Sequence, residues 1–372
     1  MAMKSILYLS DLNSKDPIFH SQVIPHVSAL RNSYTINLVC FSIHSKNSIE
    51  ENVLIYRSVR GGYDIFFSFI NFIINYKFLK RELGNKEFDI IYGRGLKGGM
   101  LAIFVKLILN KGKGKTVFDC RADILDENPN LFFRILSLKV SLYFLFRFID
   151  YSFFVSTFLR DKYVYNFSFD ISRSFVFPTF VPDDKFKFCF QNRAKLRNLY
   201  SISNDQILLV YSGNLAPWQN LNFILDSFSK TVNPILVLLI LTKDLSILDL
   251  VDKYKFSNRV LILDVSYDDI QMYYHFSDIG LLIRDNTDTN KASAPTKFSE
   301  YVNSGLMVLL NKIDSDYTYQ FMDLGIHGFL LDKKEDLTYS FNSLNLNSIK
   351  RNSLSLNTLS NIIFEQKRIF EL

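Results

Sequence analysis

The sequence predicts an α/β protein built from two doubly wound, Rossmann-like parallel-sheet domains that face a central cleft. Three observations point to this class. The chain has 372 residues, which is long for one domain and suits two of roughly 150 to 190 residues each. Short apolar runs alternate with segments of helical length. The runs are almost wholly apolar, as strands are when helices cover both faces of a parallel sheet.

The first half contains six such runs, which are SILYLSD, INLVCFS, NVLIYRS, FDIIYGR, TVFDCR and YSFFVS. Segments of helical length separate most of them, around 65–83, 97–109 and 131–148. This alternation of strand and helix is typical of a doubly wound sheet. The longest apolar stretch is interrupted by Lys139, Arg147 and Asp150, so we expect no membrane span there.

Two prolines then interrupt the alternation. Pro178 and Pro182 remove backbone donors and restrict their neighbours, which predicts a crossing between domains. We therefore place an N-terminal domain at 1–178 and a C-terminal domain at 179–354. A last helix, about 355–372, is expected to pack back onto the first domain. After the crossing the strand candidates are QILLVYSG, ILVLLILTK, RVLILDV, IGLLIR, MVLLN and GFLLD.

The charge of the chain favours a small anionic ligand or an anionic membrane surface. The formal net charge is +6, and the basic residues are spread along the chain without a long block. We therefore expect no nucleic-acid partner, since no signature of such binding is present. The three cysteines have no metal-like spacing, which predicts free thiols in a reducing cytosol.

Ligands of doubly wound sheets bind beyond the carboxyl ends of strands, so the loops after strands are the candidate sites. The first such loop is SGNLAPWQN. Gly213 either lets backbone N–H groups approach a phosphate or makes a tight turn. Trp218 and Gln219 are expected to open the next helix. Trp218 then lines a sugar or acceptor pocket, or packs between helices.

The second loop is SYDDIQ. Ser266 and Asp269 have the spacing of a helix cap, which accounts for both residues without a ligand. Tyr267 is less well explained by capping. We expect the backbone of this loop to pair with a nucleobase.

The third loop follows IGLLIR, which places Arg284 at the carboxyl end of a strand. Pro295 fits the first turn of a helix, with Ser293 or Ala294 as its N-cap, and Gly305 fits the position just after its C-terminus. Free N–H groups and the positive end of the helix dipole make such a start a seat for a diphosphate.

Lys297 lies in the first turn of this helix, where a cation opposes the dipole, so its presence indicates an anionic ligand. Glu300 follows three residues later on the same face. A diphosphate held by Arg284, Lys297 and backbone N–H groups leaves Glu300 to bind ribose hydroxyls. The alternative is a solvated Lys–Glu pair, worth only about 0.2–0.5 kcal/mol.

The fourth loop, TVFDCRADILDE, lies in the first half. It gathers charged residues after a strand, namely Asp119, Arg121, Asp123, Asp126 and Glu127. They predict contacts to an acceptor or to the reacting sugar, and a salt-bridged loop is the alternative for any one of them.

Several of these segments resemble family 4 glycosyltransferases of the GT-B fold, of the bacterial surface-polysaccharide type. The resemblance rests on GNLAPWQ after a strand and on SDIGLLIRDN followed by NKASAPTKFSEYVNSG. It extends to the order of strands, the FVFP crossing and the DCRAD loop, and so covers most of the chain. The most specific motif is Pro-x-Lys-x-x-Glu-Tyr.

The resemblance implies transfer of a sugar, with retention, from a nucleotide-sugar donor to a lipid-linked or polysaccharide acceptor. It implies no metal or other cofactor. The protein is then cytoplasmic and lies peripherally at the inner face of the membrane in capsule or lipopolysaccharide synthesis. The resemblance implies Glu300 as the ribose ligand, with Lys297, Arg284 and the backbone at 293–296 near the diphosphate. Together with the loop analysis, we expect catalysis to involve Arg284, Lys297, Asp123 and Arg121. We expect donor binding to involve Gly213, Asn214, Gln219, Tyr267, Ser293, Ala294, Pro295, Thr296 and Glu300.

The chain also departs from the family pattern. Ala292 stands where many members carry a first glutamate, and Asn214 and Gln219 stand where many carry an Arg and a Lys. Arg284, together with Lys291 or Lys297, is the expected replacement for those cations. The departures motivate a second hypothesis, a catalytically silent partner that binds a nucleotide sugar. A nucleotide-sugar epimerase is a third, which the scattered histidines do not favour.

Overall fold

The computed structural model describes residues 3–13, 16, 18–42, 53–57, 65–84, 86–125, 132–244, 246–254, 256 and 259–371. The chain divides into two compact units. Unit 1 comprises Met1–Thr179 and Leu359–Leu372, and unit 2 comprises Phe180–Thr358. Each unit contains one parallel sheet, so the predicted α/β class with two parallel-sheet domains is confirmed.

Unit 1 has a seven-stranded sheet in the order β3-β2-β1-β4-β5-β6-β7. Its strands are β1 (Ser5–Asn13), β2 (Thr35–Ser42), β3 (Val53–Arg57), β4 (Ile90–Arg94), β5 (Lys115–Cys120), β6 (Tyr151–Phe154) and β7 (Ser174–Val176). Its helices before the crossing are α1 (Ile24–Arg31), α2 (Ile65–Leu83), α3 (Gly95–Phe104), α4 (Phe132–Phe148) and α5 (Thr157–Phe167). The order of strands reverses between β1 and β4.

Unit 2 has a six-stranded sheet in the order β10-β9-β8-β11-β12-β13, with its reversal between β8 and β11. Its strands are β8 (Ile207–Ser212), β9 (Leu236–Leu241), β10 (Val260–Leu263), β11 (Ile279–Leu282), β12 (Met307–Asn311) and β13 (Gly328–Leu331). Its helices are α6 (Phe190–Leu199), α7 (Leu221–Ser229), α8 (Ile247–Tyr254), α9 (Ile270–Phe276), α10 (Asp288–Lys291), α11 (Thr296–Asn303), α12 (Asp316–Asp323) and α13 (Leu337–Ser343).

The apolar runs of unit 2 form strands because both faces of the sheet are buried. Successive residues of one strand join two different apolar clusters. In β8, for example, Leu208 and Val210 belong to one cluster, and Ile207 and Leu209 belong to the other. A strand that is covered by helices on both sides has no position for a polar side chain, which is why the runs do not alternate.

The last helix, α14 (Leu359–Glu371), belongs to unit 1. Gln366 is buried there and its Oε1 lies 2.7 Å from His26 Nε2 in α1. The Phe370 ring stacks on Phe153 in β6 at 6.1 Å, and Lys4 Nζ donates to the Phe370 carbonyl (3.1 Å). These contacts tie the end of the chain to the first sheet.

Two details differ from the sequence expectation. The sequence does not predict β7, because its three residues run directly into the FPTFVP segment, whose two prolines indicate a linker. The helix expected at 97–109 begins earlier, at Gly95, and its last turn, Val105–Leu109, is π-helical. Within the part of the chain that the structure describes, no helix has the length and apolar character needed to cross a membrane.

Candidate functional site

The candidate site of unit 2 lies where its strand order reverses. β8 and β11 are neighbours there, and the loops that follow their carboxyl ends carry Gly213 and Arg284. In doubly wound sheets such a reversal opens a crevice between two loops, and ligands bind in it. The first and third loops predicted from the sequence are therefore adjacent.

The loop after β8 is closed by its own hydrogen bonds. Tyr211 Oη donates to the carbonyl of Asn214 (2.6 Å) and to Gln219 Oε1 (3.2 Å), and Gln219 Nε2 donates to Asn214 Oδ1 (2.7 Å). The Gly213 amide donates to the Leu241 carbonyl in the sheet. A Cβ at Gly213 would lie 2.4 Å from Gln219 Oε1, so this glycine makes room for that side chain.

The expected helix start at Trp218 and Gln219 is wrong. Both residues lie in a short 3-10 turn, Pro217–Gln219, and α7 begins at Leu221. Asn220 between them has a left-handed backbone (φ +54°), which separates the turn from the helix. Trp218 is 50% exposed, so it does not pack in the core.

Arg284 follows β11 by two residues and is 9% exposed. Its Nη1 donates to Asn290 Oδ1 (3.2 Å), and its backbone N–H and carbonyl bond the Asn311 side chain. Among the described residues, no carboxylate lies within ion-pair distance of its guanidinium. Burial lowers the pKa of Arg284, while the hydroxyls of Tyr317 and Tyr211 nearby act in the opposite direction. A buried cation without a counter-charge is costly, which points to an anionic ligand.

Asn290 holds Arg284 in place. This side chain is 1% exposed, and its Nδ2 donates to the carbonyl of Asp285 (3.0 Å) and, at 3.5 Å, to that of Trp218. It thus bridges the loops that follow β8 and β11. Ser293 Oγ donates to the Asn290 carbonyl (2.8 Å) and continues the chain toward α11. No sequence signal singled out Asn290, because its partners include Trp218, which is far away along the chain.

Helix α11 begins one residue later than expected. Pro295 is its N-cap, with an extended backbone (φ −66°, ψ 118°), and Thr296 is the first helical residue, so the N-cap at Ser293 or Ala294 is wrong. The first amides of any helix have no acceptor within the helix, and in α11 the Phe298 amide donates to the Pro295 carbonyl (3.0 Å). Gly305 has φ +77° just after the C-cap Ser304, as predicted.

Glu300 is buried, with 1% of the residue exposed. Tyr274 Oη in α9 donates to Glu300 Oε2 (2.9 Å), and Lys297 Nζ lies 3.3 Å from the same oxygen. The predicted Lys–Glu pair therefore forms, but it is not a solvated surface pair. Both contacts reach Oε2, and no hydrogen bond from the described residues reaches Oε1.

Tyr301, the last residue of the Pro-x-Lys-x-x-Glu-Tyr motif, aligns α11 with the sheet. Its hydroxyl accepts from the Ser212 amide (3.1 Å), and a Cβ at Gly280 would lie 2.3 Å from its ring. Because Gly280 in β11 has no side chain, the Tyr301 ring can pack directly against the strand. Burial raises the pKa of the Tyr301 hydroxyl; Glu300 adds to this rise and Arg284 opposes it, so both charged groups lie near the hydroxyl.

The loop after β10 is capped as predicted: Ser266 Oγ accepts from the Asp269 amide (3.2 Å) and donates to its carboxylate (2.7 Å). Capping does not explain Tyr267. Lys185 Nζ lies 3.5 Å from the centre of its ring. Its hydroxyl is buried without a hydrogen-bond partner among the described residues, and burial, with Glu300 adding to it, raises its pKa.

The third loop also contains Ala292, a departure from the family pattern, and Lys291, an expected replacement in that pattern. Ala292 is 2% exposed, at the end of the short helix α10, and contributes no polar group. Lys291 pairs with Asp288 at 3.7 Å. Lys297, the other lysine expected to replace the absent cations, contacts Glu300.

In unit 1 the predicted charges separate into two groups. Asp119 is buried, and Arg121 Nε lies 2.7 Å from its Oδ1. Arg94, which the sequence did not single out, lies 3.5 Å from its Oδ2. Burial alone would raise the pKa of Asp119, but the two guanidiniums lower it below its usual range.

Asp123 is held by α5. Lys162 Nζ lies 2.6 Å from its Oδ2, and Tyr163 Oη donates to its Oδ1 (3.3 Å). Because Asp123 is 2% exposed, these contacts make it an anchor for the loop. Asp126 and Glu127 lie outside the described residues. No cluster of three His, Cys, Asp or Glu side chains suited to a metal ion occurs in the described ranges of the chain.

No family model matches the chain, and no curated protein sequence does either. Solved structures match it over nearly its whole length. HepE from Anabaena, solved in complex with UDP, has a TM-score of 0.74 and 13% identity, and the match covers 99% of each chain. Sucrose-phosphate synthase from Thermosynechococcus elongatus has a TM-score of 0.72 and 11% identity over 99% of this chain and 98% of that one.

A third structure is WaaG, described as a glycosyltransferase involved in lipopolysaccharide biosynthesis. Its TM-score is 0.61 at 11% identity, and the match covers 96% of this chain and 93% of WaaG. Similarity at such low sequence identity shows a shared fold and does not identify the substrate. They show that the chain has the two-domain α/β fold of GT-B glycosyltransferases.

Proposed function

We propose that this protein is a glycosyltransferase that uses a nucleotide-sugar donor bound by unit 2. One observation carries the proposal: Arg284, a buried guanidinium without a carboxylate partner among the described residues, lies at the crevice where ligands of this fold bind. The structural likeness to HepE, which was solved with UDP, supports a nucleotide as the ligand.

The roles follow from the contacts. Arg284, Lys297 and the free amides at the start of α11 hold the diphosphate of the donor, since a helix N-terminus and a planar guanidinium both suit phosphate oxygens. Glu300 is fixed by Tyr274 and accepts ribose hydroxyls through Oε1. The backbone at Tyr267 contacts the base.

The main chemical contribution of these groups is to stabilise the diphosphate as it leaves. Negative charge develops on it in the transition state, and preorganised cations in a buried site act on it strongly. We infer transfer with retention and without a bound metal, in which Arg284 and Lys297 supply the positive charge. Arg121 belongs to the acceptor side, and Asp123 positions the loop that carries it through its ties to α5.

We infer further that the acceptor is a lipid-linked or polysaccharide chain assembled at the inner face of the bacterial membrane, in capsule or lipopolysaccharide synthesis. The likeness to WaaG supports this class. In α4, Leu136, Val140 and Tyr143 form an exposed apolar stripe, with Lys139 and Arg147 exposed beside it. Such a stripe suits an anionic lipid surface.

The membrane role is tested by sedimentation with vesicles of neutral and of anionic lipid. The wild-type protein should bind only the anionic vesicles. A Val140→Asp/Tyr143→Asp double variant should remain folded and lose this binding. If the double variant binds anionic vesicles as well as the wild type does, α4 is not the membrane contact surface.

The donor site is tested by thermal-shift titration with UDP, GDP, ADP and their sugars, because a ligand that binds the native state raises its stability. We expect one nucleotide series to raise the melting temperature. Glu300→Ala and Lys297→Ala should each weaken donor binding at least tenfold without unfolding the protein. The matched control is Asp226→Ala, which breaks the surface pair of Asp226 with Lys230 and should leave donor binding unchanged.

Full donor affinity in either site variant would make the assignment wrong. Tight donor binding without turnover on any acceptor would favour the silent partner, which Ala292, Asn214 and Gln219 motivate. Interconversion of the donor sugar without transfer would favour an epimerase.

A further inference from the structure

The strand order of unit 1 also reverses, between β1 and β4, and a second charged cluster lies at the carboxyl edge there. Arg94 ends β4, and it is in register with Ser10 of β1 and with Asp119 of β5. Arg121 follows β5 directly. The cluster therefore occupies, in the first sheet, the position that Arg284 occupies in the second.

The cluster holds more cationic groups than its carboxylate neutralises. Arg94 is 5% exposed and Asp119 is 1% exposed, while the side chain of Arg121 is 13% exposed. Two guanidiniums surround one carboxylate, which leaves a surplus of one positive charge in a nearly dry place. Buried charges are normally paired, so this surplus requires an explanation.

The hydrogen bonds of the cluster are incomplete for the donors and for the acceptor. Arg121 Nε lies 2.7 Å from Asp119 Oδ1 but without the angle of a hydrogen bond. Among the described residues, the buried atoms Arg94 Nη1, Arg121 Nε and Arg121 Nη2 have no acceptor. Arg121 Nη1 reaches only the carbonyl of Phe177, at 3.4 Å. In a closed ion triad these donors would bond the two Asp119 oxygens, which also have no hydrogen-bond partner among the described residues.

Solvent reaches the cluster at Arg121, whose side chain is 13% exposed. Asp11, near the end of β1, and Lys97, in the first turn of α3, are both half-buried. The carboxylate of Asp11 lies directly against Gly95, where a Cβ would approach it to 1.7 Å. Only a glycine (φ +71°) admits this approach, so the backbone at the start of α3 is shaped around the carboxylate.

We propose that Arg94 and Arg121 bind an anionic group of the acceptor, either a carboxylate or a phosphate. This inference rests on the proposed function and names the chemical class of its acceptor. Paired guanidiniums present several N–H donors in a fixed plane and match the oxygens of either anion. Lys97 adds a positive charge near Asp11, and these two groups act on each other electrostatically.

The test is calorimetric titration of the full chain with inorganic phosphate and with glucuronate, at an ionic strength matched with chloride. Because Arg284 also binds phosphate, the titrations use Arg284→Gln as well as the wild type. We expect Arg284→Gln to keep a site for at least one of the two anions. Adding Arg121→Gln should weaken that site at least tenfold.

Two further variants make the result specific. Arg81→Gln removes an exposed arginine of unit 1, which is paired with Glu82, and should leave anion binding unchanged. Asp119→Asn removes the competing carboxylate, so the same anion should raise the melting temperature of this variant more than that of the wild type. If Asp119→Asn does not fold, the Arg121→Gln titration decides the question alone.

The outcomes separate the sources of the anion. Binding of glucuronate alone indicates an acidic sugar, and binding of phosphate alone indicates a phosphorylated acceptor. If Arg284→Gln binds neither anion, or if Arg121→Gln binds them as before, the proposal is overturned. Failure of the proposed function would appear differently, as a wild-type protein that binds no nucleotide.

Discussion

Both sheets reverse their strand order and carry arginines at the reversal, but these arginines have different side-chain partners in the two units. In unit 2, Arg284 has an amide, Asn290, as its side-chain partner. In unit 1, Asp119 stands between Arg94 and Arg121. The first arrangement has no carboxylate partner among the described residues, and the second supplies one carboxylate for two guanidiniums. We therefore expect the position to matter more for stability in unit 1 and more for binding in unit 2.

The largest expected effect is a difference in the free energy of unfolding between a variant of each arrangement, Asp119→Asn and Arg284→Gln. Asp119→Asn leaves two buried guanidiniums without a carboxylate, and removing one partner of a buried pair costs about 3–5 kcal/mol. Arg284→Gln removes a buried charge that has no acid partner, so the free energy of unfolding should change by less than about 1 kcal/mol or rise. Hydrogen exchange of peptides from β5 and β11, followed in increasing denaturant, reports each unit separately.

The buffer for this measurement contains neither phosphate nor nucleotide, since either would stabilise a native site. A loss in Arg284→Gln as large as that in Asp119→Asn would contradict the comparison. It would mean that Arg284 is needed for the fold and is not held for a ligand.

A second comparison concerns the glycines beside the two reversals. A Cβ at Gly280 would meet the Tyr301 ring at 2.3 Å, and one at Gly95 would meet the Asp11 carboxylate. Alanine at either position should cost about 1–3 kcal/mol through overpacking. Gly280→Ala should also weaken donor binding, because Tyr301 positions the helix that carries Glu300. Urea denaturation and donor titration measure the two effects.

The control is Gly325→Ala. Gly325 has φ +64° but no atom within 4 Å of the added Cβ, so the substitution tests backbone strain alone. It should reduce stability without changing donor affinity. If Gly280→Ala and Gly325→Ala lower donor affinity equally, the contact between Tyr301 and Gly280 does not position α11.

Much of the fold was predictable because its signals are local. Apolar runs predicted twelve strands, and the glycine at 305 predicted a helix end. The sequence does not predict β7, because a three-residue edge strand is too short to form a recognisable apolar run. The start of α11 was placed one residue early because proline suits both the N-cap and the first helical position, and sequence alone does not choose between them.

The candidate site was predictable only in part, for a physical reason. Arg284, Lys297 and Glu300 follow strand and helix signals along the chain. Asn290, Tyr274 and Arg94 depend on which segments the topology brings together, and their residue types carry no signal by themselves. Likewise the burial of Glu300, which turns a weak surface pair into a fixed ligand, depends on α9 covering it.

The smallest effect concerns pH, and it too differs between the units. Burial raises the pKa of Asp11 to about 7, although Arg94 and Lys97 act to lower it. In the unfolded chain this carboxyl has a pKa of about 3.9. Between about pH 4 and 7 the native state therefore holds one more proton than the unfolded state, and the Asp11 contribution to stability is lost as the pH rises.

Asp11→Asn removes this loss. Relative to the wild type, its free energy of unfolding should rise with pH across this window, by at most about 1.4 kcal/mol per unit and by less where water reaches the carboxyl. The pKa of His26, lowered by burial to about 4, gives the opposite slope, but it does so in both proteins and cancels in the difference. Arg284→Gln should show no such slope, because a guanidinium stays charged throughout the range. Parallel curves for Asp11→Asn and the wild type would mean that Asp11 ionises normally against Gly95, and that the charge surplus of unit 1 is smaller than its arginines indicate.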